Sequence, residues 1–294
     1  MANLRDLRLR MRTIRQTLQV TRAMNLISSA KLRKGRRILE DTEPFFTRIE
    51  KSMFDILSGA AKLKSQFLNP YEREDTSRTA ILIITSDKGL AGGYNANVFR
   101  HVEQLCARVK NPILILIGNI GYRHFAHTSW QILENYSFRS QLPDMEDARE
   151  IAEYIISQYQ WGVFEEVHIV YTHMYSSIRL LPREQQLLPL SKMKMQEEFE
   201  KTEGKRVELQ FEYWPSKTAV FDHLVPLYVK GVIYCSLVEA HVSEQSARMS
   251  AMDEASKNAR EMLGVLQLQY NRTRQADITQ EMTEISGGAE SVKN

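Results

Sequence analysis

The sequence predicts an α/β domain placed between two long terminal helices that pair as an antiparallel coiled coil. Three observations carry this expectation. From Ser216 to Ala289 the chain reads as one helix, with Pro226, Gly231 and Gly264 as its breakers before the Gly287–Gly288 pair. From Leu4 onward, apolar residues recur in a three-and-four spacing that reads as a second long helix. Between the two, short runs of branched apolar residues alternate with helical patterns. The C-terminal helix would extend on the order of 100 Å, whereas a compact chain of this length is roughly 40–50 Å across. Such a helix needs a partner along its length, and the other end of the chain supplies one.

The N-terminal segment, residues 1–63, is expected to be one helix from Leu4 to Leu63, bent near Pro44. Its seam starts with Leu4, Leu7, Met11, Ile14 and Leu18. The pattern predicts a loss of phase from Thr21 to Ser28, where Val20, Met24 and Ile27 take over the apolar face. Leu32, Leu39, Phe46, Ile49, Met53 and Ile56 then resume the first frame. The outer face is basic: from Met1 to Arg37 there are eleven Lys or Arg residues and one acid, Asp6. That polarity fits either a solvated coiled-coil face or a surface that meets an acidic protein or nucleic acid.

Residues 77–213 change pattern. Ala80–Thr85, Pro112–Ile117, Glu166–Tyr171 and Gln185–Leu190 read as strands, with helices over Tyr94–Arg108 and Asp144–Tyr159. Near-continuous apolar strands alternating with helices indicate a Rossmann-like, mainly parallel sheet covered on both faces. Ser191–Arg206 is an expected loop and Val207–Tyr213 a last strand. In the C-terminal helix, 216–289, the stripe runs through Met252, Ala255, Ala259, Met262, Leu266, Tyr270 and Thr273. Ala255 and Ala259 would admit a close neighbour, and 290–294 form a tail.

Composition narrows the function. A hydrophobic fraction of 43% and net charge +3 over 294 residues are ordinary for a soluble protein. The two cysteines, Cys106 and Cys235, supply neither a disulfide framework nor metal-ligand spacing. No apolar run reaches the ~18 residues of a membrane span, and the charged start L-R-D-L-R-L-R lacks a signal-peptide core. An Arg-rich, acid-poor start also suits a mitochondrial transit peptide, but the periodic pattern continues past any cleavage point.

The loop Ser86-Asp87-Lys88-Gly89-Leu90-Ala91-Gly92-Gly93 lies where phosphate-binding loops lie, between a strand and a helix. It matches neither nucleotide-binding glycine pattern, so tight strand-to-helix packing is the expected role of its glycines. His124 and His127, three apart on an expected helix, and His168 and His173, at a strand end, each lack a third metal ligand nearby in sequence. Adjacent carboxylates such as Glu165–Glu166 and Glu197–Glu198 point apart or into solvent. No nucleophile motif is present, and the chain reads as mechanical rather than catalytic.

Four stretches together resemble the gamma subunit of F-type ATP synthases. T-R-A-M-N-L-I-S-S-A-K-L-R (Thr21–Arg33) is similar to the family's T-K-A-M-x-x-V-A-A-S-K-L-R. S-D-K-G-L-A-G-G-Y-N (Ser86–Asn95) resembles S-D-R-G-L-C-G-G-x-N, and S-E-Q-S-A-R-M-S-A-M (Ser243–Met252) resembles S-E-Q-x-A-R-M-x-A-M. Most specific is I-T-Q-E-M-T-E-I-S-G-G-A (Ile278–Ala289), like I-T-Q-E-x-x-E-I-x-x-G-A.

The resemblance implies a central-stalk rotor. Its coiled coil enters the alpha–beta hexamer, and its foot rests with the epsilon subunit on the membrane c-ring. It turns ion flow into ATP synthesis, or runs in reverse. It implies no catalytic, cofactor-binding or metal residue in this chain, since ATP, ADP and magnesium sit on alpha and beta. No nucleic acid is implied. Arg22, Met24 and Lys31 match the stretch facing an acidic region of the beta subunits. Arg248, Gln275, Thr279, Glu281 and Glu284 match positions of coupling and head contact, and residues beyond Ile285 would approach an apolar bearing. The implied place is the cytoplasmic face of a bacterial membrane, as a peripheral subunit, because plant-type paired cysteines are missing. Ala91 departs from the family cysteine of G-L-C-G-G.

Three other readings remain open to the residues: a stalk subunit of a divergent rotary ATPase, a basic coiled-coil nucleic-acid binder, and a nucleotide-dependent enzyme using Gly89–Gly93. The second predicts strongly salt-sensitive DNA binding. The third predicts ligand binding at the glycine loop.

Overall fold

A computed structural model describes residues 4–58, 63–68, 78–137, 142–176, 179–190 and 213–291. The elements are α1 (Leu4–Ser58), β1 (Thr79–Ile84), α2 (Tyr94–Cys106), β2 (Pro112–Ile117) and α3 (Asn119–Phe125). They continue with β3 (Gln131–Tyr136), α4 (Met145–Gln160), β4 (Glu166–Met174), β5 (Leu180–Leu188) and α5 (Lys217–Ser291). The chain divides into two compact units, Met1–Ser29 with Arg248–Asn294, and Ala30–Ala247. Each long helix therefore contributes to both.

The sheet of the second unit has the order β3-β2-β1-β4-β5. β1 lies at its centre, parallel to β2 and β4, and β3 is parallel to β2. β5 is antiparallel to β4, so the mainly parallel sheet closes on one antiparallel edge. All six residues of β1 are buried, as a central strand covered on both faces requires. Ile81 and Ile83 pack with Val98, Val102 and Leu105 of α2 and Phe125 of α3. The alternate residues Ala80, Leu82 and Ile84 share a second core with α4 and with Ile49, Met53, Ile56, Phe221, Val225 and Val229 of the long helices.

That shared core explains the unit boundary. The sequence reading separates the helices from the α/β domain, whereas the inner parts of α1 and α5 are built into one face of its sheet. The most apolar 18-residue window of α5 reaches a mean hydropathy of 1.2, composition enough for a membrane span, but half of it is buried inside the protein.

Two glycines set how closely α1 and α5 approach in this unit. A Cβ at Gly35 would stand 2.6 Å from Val242 Cγ2, and one at Gly231 would overlap the Phe46 ring. Pro44 and Pro226 are both accommodated within helices. Asp144 caps α4 in a reciprocal box with Asp147: each backbone N–H donates to the other's carboxylate, at 2.9 and 3.1 Å.

Several boundaries differ from expectation. α1 is described to Ser58, and residues 59–62 lie outside the described residues, as do the expected loop Ser191–Arg206 and strand positions 207–212. α2 stops at Cys106 because the Arg108 and Val109 N–H groups both donate to the Leu105 carbonyl, tightening the last turn. β4 runs three residues past Tyr171, where Thr172, His173 and Met174 pair with Pro182, Leu181 and Leu180. The β3 edge strand and the first half of β5 were absent from the sequence reading. Both are mixed in polarity and half-exposed, the pattern of sheet edges.

Candidate coupling surfaces on the paired helices

In the first unit the two helices run antiparallel, since Arg8 meets Tyr270, Thr21 meets Ser256 and Asn25 meets Met249. Leu7, Met11, Met252 and Ala259 are buried in their seam. The expected loss of phase does not occur. Val20 and Ile27 are 57% and 55% exposed, while Thr21 and Ser28 are buried. Positions 4, 7, 11, 14, 18, 21, 25, 28 and 32 hold one unbroken heptad frame, filled in its middle by small polar residues. Thr21 and Ser256 share a hydroxyl–hydroxyl bond of 2.8 Å, and Asn25 Nδ2 donates to the Met249 carbonyl at 3.0 Å. Those bonds satisfy the polar groups that burial would otherwise penalise. On α5, Met262 is 58% exposed and so leaves the expected stripe, while Ser256 is buried in it.

The candidate residues divide into two groups. Arg22 is exposed and Met24 half-buried. The Asn25–Met249 bond sets their turn of α1 beside the turn of α5 carrying Arg248. Arg248 itself is only 7% exposed, so it is buried rather than a surface group. Lys31 is half-buried and falls in the second unit. Gln275, Thr279, Glu281 and Glu284 are all exposed. Lying 27 or more residues from Arg248, they begin about 40 Å further along α5. The candidates therefore do not form one cluster: Arg248 and the last four lie far apart along α5.

From Arg274 to Ser286 every residue of α5 is exposed. The Thr279 hydroxyl donates to the Gln275 carbonyl at 2.9 Å, and Gln280 Nε2 donates to Glu284 at 2.9 Å, so these polar groups brace the helix itself. Ile278, Met282 and Ile285 stand 48%, 65% and 72% exposed. Their 4-and-3 spacing puts them on one face. Nearer the seam, Leu9, Ile14, Met262 and Val265 line an open groove of about 810 Å³, bordered by Arg10 and Glu261. The basic side chains Arg5, Arg10, Arg12, Arg15 and Arg22 are exposed along α1. Arg8 donates to the Tyr270 hydroxyl, at 2.9 Å from Nε and 2.6 Å from its terminal nitrogen.

The glycine loop after β1 is closed by its own bonds. The Ser86 hydroxyl donates to the Lys88 carbonyl at 2.9 Å, and Asn95 both accepts from the Ser86 N–H and donates to its hydroxyl. Asp87 accepts from the Asn119 N–H at 3.0 Å. At the adjacent strand end Gly118 has φ 98°, and a Cβ there would strike the Thr85 carbonyl. Beyond the loop, the Tyr94 hydroxyl donates to the Ala240 carbonyl at 3.2 Å and ties α2 to α5. The loop joins structural elements. The histidines are similarly engaged: His124 stacks on Phe99 at 4.0 Å and meets Glu103, while His127 lies past the end of α3. His168 meets Glu184 at 3.1 Å, and His173 contacts Glu239. His168 and His173 both lie within β4, which continues past the expected strand end at Tyr171.

Two long helices paired in antiparallel fashion, built onto a five-stranded α/β sheet, with polar candidates spread along exposed helix surface, define a stalk-like subunit class. The comparisons are specific within it. Residues 3–292 match the family described as ATP synthase. The ATP synthase gamma chain of Acetivibrio thermocellus is 41% identical over 295 residues, covering 100% of both chains. The sodium ion specific ATP synthase gamma chain of Acetobacterium woodii is 36% identical, covering 99% of each. A chain of the Euglena gracilis mitochondrial ATP synthase structure, OSCP/F1/c-ring, aligns with TM-score 0.67 at 18% identity, over 98% of this chain and 94% of that one. This chain belongs to the ATP synthase gamma chain family.

Proposed function

We propose that this chain is the central-stalk rotor of a bacterial F-type ATP synthase, transmitting rotation between the membrane c-ring and the catalytic head. The observation that carries the reading is α5: 75 residues of continuous helix, exposed on every side from Arg274 to Ser286, where it presents Ile278, Met282 and Ile285. A free helix with an apolar face calls for a surrounding protein surface. The alpha and beta subunits of the head supply it, with the epsilon subunit and c-ring at the other end of the rotor. The chain sits with its complex at the membrane's cytoplasmic face.

In this reading the chain contributes no catalytic group and no cofactor site, and nucleotides and magnesium bind the alpha and beta subunits. Its task is to make three equivalent beta sites inequivalent. A two-helix shaft lacks three-fold symmetry, and its basic face lies on α1. Each beta subunit therefore meets a different set of contacts at each angle. Only such differential contact energy shifts conformational populations. Arg22, Met24 and Lys31 serve the contact with an acidic beta surface, Arg248 holds the helix pair beneath it, and Gln275, Thr279, Glu281 and Glu284 meet the head. Co-expression with alpha and beta subunits of the Acetivibrio thermocellus enzyme tests this. A stable ATPase complex containing the chain is expected. An ATPase that assembles equally well without it, with the chain instead binding DNA in a salt-sensitive way, would overturn the proposal.

A further inference from the structure

Within the second unit, a polar cluster joins α5, α1 and the β4–β5 hairpin and has no part in the rotor reading above. Glu239 of α5 lies against the hairpin with its side chain 19% exposed. Its carboxylate accepts from the Met174 N–H at 3.4 Å and contacts His173 Nδ1. The Tyr171 phenol bonds it from β4, and Arg183 of β5 faces it. The cluster lines a half-open cavity of about 280 Å³ that also holds Glu43 and Glu50 of α1, with Cys235, Ser236 and Tyr228 of α5. Arg36 of α1 stands at the same end of the hairpin, 3.7 Å from Met174 Sδ.

We propose that this cluster is a pH-sensitive latch, in which the protonation state of Glu239 sets how firmly the β4–β5 hairpin holds α5. The charges facing Glu239 decide the direction. Glu43 on α1 opposes an ionised Glu239, Arg183 favours it, and Tyr171 and Cys235 remain neutral because burial pushes the phenol up and the thiol up to about 12. Burial is also the largest influence on Glu239, and with Glu43 it lifts the carboxyl to about 7 against the pull of the Met174 N–H, Arg183 and Tyr171. His173 is shifted the other way, lowered by burial and by Arg183. With the proton on, Glu239 is a neutral partner for His173. With it off, a further negative charge enters a cavity already lined by Glu43 and Glu50, and water is drawn in at its open side.

The two titrations carry opposite signs. Glu239 binds its proton more tightly in the latched state, so its contribution fades as pH rises from about 4.5 to about 7. His173 binds its proton less tightly when latched, so its contribution fades as pH falls below 6.5. Hydrogen-exchange mass spectrometry on the full chain separates them, comparing wild type with Glu239→Gln. His173 titrates below 6.5 when latched, so above that pH the ratio of protection factors reads Glu239. After correction for the intrinsic pH dependence of exchange, the wild-type to Glu239→Gln ratio over 171–183 and 232–243 is expected to fall about tenfold between pH 6 and pH 8. Glu43→Gln, which removes the opposing charge without touching the hydrogen bonds, is expected to shrink that fall. A ratio that stays constant across this range, or a fall that Glu43→Gln leaves unchanged, overturns the latch. The outcome does not depend on whether the chain is a rotor.

Discussion

Replacing Gly231 with alanine tests the close helix approach in the second unit. Two effects compete. Alanine is more favourable than glycine in a helix interior by about 1 kcal/mol, so an open site would be stabilised. At Gly231 the added Cβ would stand 2.5 Å from Phe46 Cε1 and 2.8 Å from Cγ. Contact with Cγ matters most, because rotating the ring about its own axis leaves that atom in place. Relief needs a new side-chain rotamer or a shift of α1. A new rotamer would break the edge contact with Phe45 at 5.2 Å and the tilted contact with Tyr234 at 6.4 Å. Overpacking of this kind costs about 1–3 kcal/mol, leaving Gly231→Ala destabilised by up to roughly 2 kcal/mol after the helix gain. Urea unfolding of the full chain measures it, and a cycle with Phe46→Leu identifies the cause. The double variant should recover most of the loss. An alanine variant that is about 1 kcal/mol more stable, with no coupling to residue 46, would refute the close approach.

Further outcomes follow from the same geometry. The raised carboxyl of Glu239 makes the fold more stable at acid pH, and the gain is lost as pH rises from about 4.5 to about 7. Its size is about 3 kcal/mol, and Glu239→Gln should remove that component from a stability–pH curve. Burial raises the Cys106 and Cys235 thiols to about 12, so maleimide at pH 7.5 should label both slowly in the native chain and rapidly in urea. Arg22 is exposed, so Arg22→Ala should leave assembly and thermal stability unchanged while lowering the number of ions pumped per ATP in reconstituted vesicles. Normal pumping would remove Arg22 from the coupling contact.

The strands most legible in the sequence are those whose burial is most complete. Pro112–Ile117 and, in the central strand, Ala80 to Ile84 are apolar throughout because the sheet covers them on both faces. The β3 run Gln131–Tyr136 carries Glu134 and Asn135 on an edge, where alternation blurs and no turn residue marks the start. β5 includes Pro182, Arg183 and Glu184, which a strand accepts at an edge. The seam of α1 was misread between Thr21 and Ser28 for a related reason. Apolar side chains mark a buried position only where the site has room for them, and here Thr21, Asn25 and Ser28 hold the frame. Val20 and Ile27 are branched and apolar yet point outward.

The candidate surfaces were legible to different degrees. The exposed C-terminal residues Gln275 to Glu284 follow from the motif and the helical period. The burial of Arg248 does not, because an arginine in a polar stretch gives no sign of which neighbour it meets. The Glu239 cluster was missed altogether. Glu43, Glu239 and the hairpin that carries His173 and Arg183 are far apart in the chain, and only the packing of the hairpin on the long helices brings them together. None of them lies in a motif, so no sequence signal was available to find them.

The most direct test of the rotor account is single-molecule rotation. The alpha and beta subunits of the assembled head would be fixed to a surface and a bead attached at an exposed position of α1. On addition of ATP, the account predicts stepwise, one-directional rotation that stops when ATP is exhausted. Steady ATP hydrolysis by complexes containing the chain, with the bead diffusing freely or standing still, would contradict it.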